Sequence, residues 1–224
     1  NGAINTVDRN NNQSGAYYFD GSDYISTTIP TSTFEGTNSF SISMWFNLSQ
    51  ISNTGDTNGR RTLFSTRSTT ANIGFTLWAN DYLNQGNRMS IEVINRESSS
   101  SIINTNVNTI TLNNWINIVY VHTSTEQKVY LNGQLSKTVT SSAITFSTMP
   151  ANPRIGSESS AYYFKGSIYD VRIYNIALTA NQVTDIYNET TWIVSKNVPR
   201  TQLSFNTAST GAVKTGGDYN HTFV

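Results

Sequence analysis

The chain has 224 residues, with 14 Lys and Arg balanced by 14 Asp and Glu, and charged residues make up only 12% of it, against a usual share of about a quarter. Without a basic field to hold phosphates, nucleic acid is not an expected partner. No apolar run approaches the roughly 20 residues of a membrane-spanning helix. No cysteine is present, which excludes disulfides and thiolate metal sites. The length suits one substantial core, as in a large all-β sandwich.

In chain order, residues 1–14 are Asn-rich and polar, an irregular lead-in, and the absence of an initiator Met suggests a mature segment excised from a longer chain. A first strand is predicted over Ala16–Phe19, interrupted by Asp20-Gly21-Ser22-Asp23 and resumed over Tyr24–Thr28. Phe40–Leu48 alternates: Phe40, Ile42, Met44, Phe46 and Leu48 point one way, Ser41, Ser43, Trp45 and Asn47 the other. Strands follow at Thr62–Thr66, Ile73–Ala79 and Arg88–Asn95, with short ones at Ile102-Ile103 and Ile110–Leu112. Trp115–His122 is a near-continuous apolar strand, in which His122 reads as a residue of the polar sheet face. Asn132-Gly133 is a type I′ hairpin signal between Lys128–Leu131 and Gln134–Val139.

Phe164–Tyr174 is the long strand of the second half, predicted to have Ile168, Asp170, Arg172 and Tyr174 on one side and Ser167, Tyr169, Val171 and Ile173 on the other. Large residues on both sides imply a central strand covered on both faces. The helix that follows is capped by Thr179, with Gln182 completing a capping box and Leu178 and Val183 placed to close a hydrophobic staple. Past residue 190 the pattern changes, so residues 1–190 are expected to form one module and 191–224 an extension, a linker or an added strand.

Four segments in this order carry a resemblance: Ala16–Gly21 with Asp23–Ile25, Phe40–Phe46, Trp115–Val121 followed by Val129–Gly133, and Phe164–Tyr187. Together they resemble the laminin-G-like, concanavalin A-like domains, and more narrowly the LamG-like modules of bacterial surface and polysaccharide-acting proteins. The resemblance implies an antiparallel jelly-roll β-sandwich with one short helix.

Calcium is the expected cofactor, since acidic turn residues supply the oxygens it takes. Asp20 and Asp23 flank Gly21 in a bend, and the resemblance implies a structural ion between this bend and the late strand at Asp170. Tyr169 stands where such modules often have a further acid, and the other reading leaves these aspartates as turn formers and a hydrogen-bonded strand residue. For sugar stacking, Trp78 and Tyr82 stand out, with Asn80, Asp81 and Asn84 nearby for hydroxyls and Trp45 expected on the same exposed sheet face. The plainer reading of Trp45 and Trp115 is packing.

Catalysis is not expected. No Glu on a predicted strand has a second acid two or four residues away, as the paired carboxylates of sandwich glycosidases would require. The resulting expectation is a non-catalytic carbohydrate-binding or adhesion module, extracellular or at a cell surface, attached to other domains of a parent protein. A structural or protein-interaction spacer is the alternative, and a polysaccharide lyase or hydrolase the third reading.

Overall fold

The computed structural model describes residues 2–36, 39–50, 59–67, 73–80, 89, 91–96, 100–140, 146, 149, 152–189, 200–204 and 212–216. The first strands are β1 (Ile4–Thr6), β2 (Ala16–Asp20), β3 (Ile25–Ser26), β4 (Phe40–Leu48) and β5 (Arg61–Ser65). They are followed by β6 (Gly74–Ala79), β7 (Ile91–Arg96), β8 (Ser100–Asn104), β9 (Trp115–His122) and β10 (Glu126–Leu131). The last are β11 (Gln134–Thr140), β12 (Arg154–Ile155), β13 (Lys165–Tyr174), the helix α1 (Ala180–Asn188), β14 (Arg200–Ser204) and β15 (Ala212–Gly216). Ile110–Leu112 forms no strand; Ile110 is buried in a turn whose amide donates to the Met89 carbonyl.

Two antiparallel sheets face each other. The larger has the order β1-β2-β13-β4-β9-β10-β11, with β14 beside β13 and β15 beyond it. The smaller has the order β3-β12-β5-β6-β7-β8. This is the jelly-roll sandwich that the strand pattern implies. Its core lies between the sheets: the Phe40 and Phe75 rings stack at 5.1 Å, and Phe34 meets Phe40 edge-on at 5.1 Å. His122 faces this core, stacked on Phe40 at 4.8 Å with Tyr120 Oη 3.1 Å from its Nδ1. It stands opposite Phe40 in the β4–β9 register, so it does not join the polar face expected for it.

Local chemistry places the elements as the residues suggest. Asn132 and Gly133 both have positive φ (49° and 76°), as a type I′ turn requires between β10 and β11. Thr179 accepts from the Gln182 amide and the Gln182 side chain accepts from the Thr179 amide, closing the capping box. Val183 and Ile186 of α1 are buried with Leu178, Val119, Val121, Tyr130 and Tyr174 on the outer face of the larger sheet. Each such side chain contributes roughly 1.5–3 kcal/mol on burial. Gly166 of β13 is unavoidable there, because a Cβ would sit 2.1 Å from the Asn47 carbonyl oxygen.

The alternation expected along β13 breaks at one residue. Tyr169 pairs with Trp45 but Arg172 with Ser43, so β13 carries one extra residue, and Asp170 takes φ 52°. The bulge resets the phase. Ile168, Val171 and Ile173 all reach the inner core, while Tyr174 joins the outer cluster under α1.

Candidate functional site

Trp78 lies in β6 on the outer face of the smaller sheet, opposite Thr62 of β5 and Glu92 of β7, and Glu92 in turn faces Asn104 of β8. It is fully buried, so the exposed face expected around it is not there. The Arg60 guanidinium lies over its ring with Cζ 4.0 Å from the centroid, and the Arg67 Cζ is at 5.7 Å. Tyr162 meets the indole edge-on at 6.0 Å. Arg60 is ion-paired with Glu92, and Arg67 with Glu158 at 3.1 Å. The indole Nε1 and Thr62 Oγ1 are buried without a hydrogen-bond partner among the described residues. Tyr162 holds φ 53°, a conformation seldom adopted by a bulky residue and a form of strain that recurs at binding sites. Thus two guanidinium groups, two carboxylates and two aromatic rings crowd one patch, and Tyr162 is its half-exposed rim.

Sequence reasoning missed the partners of Trp78, because they come from three separate segments, around Arg60, at Glu92 and over Glu158–Tyr162. The pairing of a Trp with an acid opposite it on the next strand leaves no local signature. Asn80 is buried too and acts as a clamp: its Nδ2 donates to the Gly59 carbonyl and its Oδ1 accepts from the Met89 amide, each at 3.2 Å. Asp81, Tyr82 and Asn84 lie outside the described residues.

Trp45 does not share this face. It belongs to β4, in the other sheet, and is only 6% exposed. Tyr187 of α1 stacks on it at 5.6 Å, and Arg9 of the lead-in lies over it at 4.0 Å. Arg9 also donates to the Glu189 carbonyl. The ring therefore fastens lead-in and helix to the sheet.

Nor are the three aspartates gathered. Asp23 accepts from the Asp20 amide at 2.9 Å, and the Asp20 carboxylate accepts from the Ser22 hydroxyl and amide, which holds its pKa below the ordinary carboxylate value. Lys165 is opposite Asp20 on β13, five residues before Asp170, a separation of roughly 15 Å along the strand. Asp170 instead takes a bidentate grip from Arg172 at 2.8 and 2.6 Å, and Arg172 also donates to Glu189 at 2.6 Å. Burial works against the Arg172 charge, but the attraction of Asp170 outweighs it and the pKa is raised. Among the described residues no group of three or more His, Asp or Glu is placed to hold a metal. These three residues therefore do not fit one calcium site.

Sandwich, helix and residue pattern define a lectin-like jelly-roll domain. Residues 19–184 match the laminin G family described as "Concanavalin A-like lectin/glucanases superfamily", and the chain belongs to that family. Among curated protein sequences, none matches this chain. Among solved structures it is similar to the CBM40 of Ruminococcus gnavus IT-sialidase, at 14% identity and TM-score 0.63, covering 78% of this chain and 97% of that one. It is also similar to domain 4 of AbnA, a GH43 extracellular arabinanase from Geobacillus stearothermophilus, in complex with arabinotriose (21% identity, TM-score 0.57, 83% of this chain and 88% of that one). A third similar structure is the botulinum neurotoxin serotype G binding domain, at 17% identity and TM-score 0.59. There 83% of this chain matches, and the chain spans 46% of the neurotoxin domain's length. At these identities the likeness shows the fold.

Proposed function

We propose that this chain is a non-catalytic carbohydrate-binding module of a larger secreted or cell-surface protein. The observation that carries this reading is the rim of the patch around Trp78, where the half-buried Tyr162 ring, set edge-on to Trp78, is backed by the buried Arg60–Glu92 and Arg67–Glu158 pairs. An aromatic ring at a polar rim suits a sugar, whose apolar face stacks on the ring while its hydroxyls donate and accept at the border. The family and the sialidase and arabinanase domains of the same fold support the class of ligand. Both carboxylates are engaged by guanidinium groups, which suits acceptors held in place and not a proton donor poised beside a scissile bond. No helix among the described residues is long and apolar enough to cross a membrane.

The test is a glycan array and affinity electrophoresis in neutral and acidic polysaccharides, with Tyr162→Asn as the variant because Asn tolerates the left-handed backbone of that position. Wild-type binding that weakens about tenfold in the variant, with an unchanged melting temperature, is the expected result. A wild type that binds no glycan overturns the reading.

A further inference from the structure

On the larger sheet, past the part covered by α1 and Tyr187, the outer face carries a second and different set of side chains. One row crosses five strands in register: Ile4 of β1, Tyr18 of β2, Ser167 of β13, Asn47 of β4 and Trp115 of β9. Tyr169 projects from β13 one position short of the bulge, and its ring meets Trp115 at 6.4 Å and 77°. Tyr18, Asn47, Trp115, Ser167 and Tyr169 are all half-buried, unlike the fully buried Trp78.

We propose that this face is a second sugar-binding platform, one that takes a neutral glycan chain across β2, β13, β4 and β9. The proposal rests on the carbohydrate-binding reading above but uses none of the residues around Trp78. Three spacings separate β2 from β9, so Tyr18 and Trp115 stand about 14 Å apart, the reach of a short oligosaccharide and more than one ring. Trp115 and Tyr169, set nearly at right angles, form a corner in which a ring seated on one aromatic face meets the edge of the other. Asn47 and Ser167 lie between the aromatic ends and offer donors and acceptors to hydroxyls.

Charge decides for a neutral ligand. No ionisable carboxylate or cation stands in the row itself. The charges at the Tyr169 border are already engaged: Arg172 holds Asp170 and Glu189, Asp8 accepts from the Asn10 and Asn12 amides, and Arg9 donates to the Glu189 carbonyl. At the other end Lys165 stands opposite Asp20. Burial pushes the Tyr169 phenol up to about 12, so it serves as a neutral hydrogen-bonding group through the physiological range.

The experiment compares wild type, Trp115→Ala, Trp115→Phe and Tyr162→Asn by affinity electrophoresis in arabinan, xylan and mixed-linkage glucan, with polygalacturonate as the acidic control. Sedimentation of each protein alone is measured alongside. The expected result is retardation by a neutral polysaccharide that falls about tenfold in Trp115→Ala, the scale of one lost aromatic contact, and less in Trp115→Phe. Tyr162→Asn should retain the part of the binding that Trp115→Ala removes. Unchanged binding in Trp115→Ala overturns the platform while leaving the carbohydrate-binding reading standing. So does retardation by polygalacturonate alone, or a wild-type dimer that Trp115→Ala dissociates. A wild type retarded by nothing overturns both.

Discussion

The two outer faces of the sandwich use the same device and end in opposite states. On each, an arginine lies 4.0 Å over a tryptophan: Arg60 over Trp78, Arg9 over Trp45. On the smaller sheet the arginine immediately precedes the neighbouring strand and is answered by Glu92, with Arg67 and Glu158 repeating the pair, so the patch is charged and, apart from the Tyr162 rim, closed. On the larger sheet Arg9 comes from the lead-in and Tyr187 from the helix, so the closure is long-range and stops at Trp45. Beyond it the side chains are neutral and half-exposed. Stacking a cation on a Trp therefore says little about whether that Trp is available; the charge and burial of its neighbours decide.

Removing one Trp from each face should have the largest and most unequal effects. Trp78→Ala should cost about 3–5 kcal/mol, since it empties a fully buried site and leaves two guanidinium groups without their ring. Trp115→Ala should cost less, about 1–2 kcal/mol, because its side chain is only partly buried before the change. Urea unfolding midpoints at constant slope measure both. Equal losses would mean that the two faces are packed alike.

A smaller effect separates the bulge from the metal expectation. Asp170 does two things: it holds the left-handed backbone of the bulge and it grips Arg172. Asp170→Ala loses both, about 2–4 kcal/mol in sum. Asp170→Asn keeps a residue tolerant of that backbone and loses only the charge, so it should fall between Ala and wild type. Each loss should be the same with and without a chelator. A melting temperature raised by calcium in the wild type and not in Asp170→Ala would show that Asp170 serves a metal after all.

That bulge marks the limit of what residues alone disclose. The alternation of Phe40–Leu48, the cap at Thr179 and the turn at Asn132-Gly133 are legible because each depends on neighbours within a few positions. Along β13 the period of two is read correctly up to Tyr169, and one inserted residue then exchanges the faces; nothing in the composition of Tyr-Asp-Val-Arg announces it except that Asp accepts positive φ. Trp45 and Trp78 read alike as single aromatic residues on polar strand faces. Their separation onto opposite sheets follows from topology, because β13 enters between β2 and β4 while β12 joins β3 to β5. Trp115 reads as packing because the strand around it is apolar, yet it stands at the strand's first position, where the sheet's outer face is no longer covered by α1.

Within the larger sheet a slighter effect distinguishes Tyr169 at its surface from Tyr120 in its core. Burial raises both phenols. Tyr120 is carried far above the ordinary value despite its hydrogen bond from the hydroxyl to Asn95, and Tyr169 to about 12, with Asp170 and Asp8 adding to burial and Arg9 and Arg172 opposing it. A group whose folded pKa lies above its unfolded value binds its proton more tightly when folded. Its contribution is therefore complete below the unfolded value near 10 and is lost as pH rises through the folded one. For Tyr169 that window runs from about 10 to about 12. Tyr169 is half-exposed, so solvent screens the effect and the stability change should be slight. Alkaline difference spectra should show one phenol titrating late in that window in the wild type and missing in Tyr169→Phe, with Tyr120 ionising only as the fold gives way. A Tyr169 that titrates at the ordinary value would mean that its phenol is less buried than its place beside Trp115 implies.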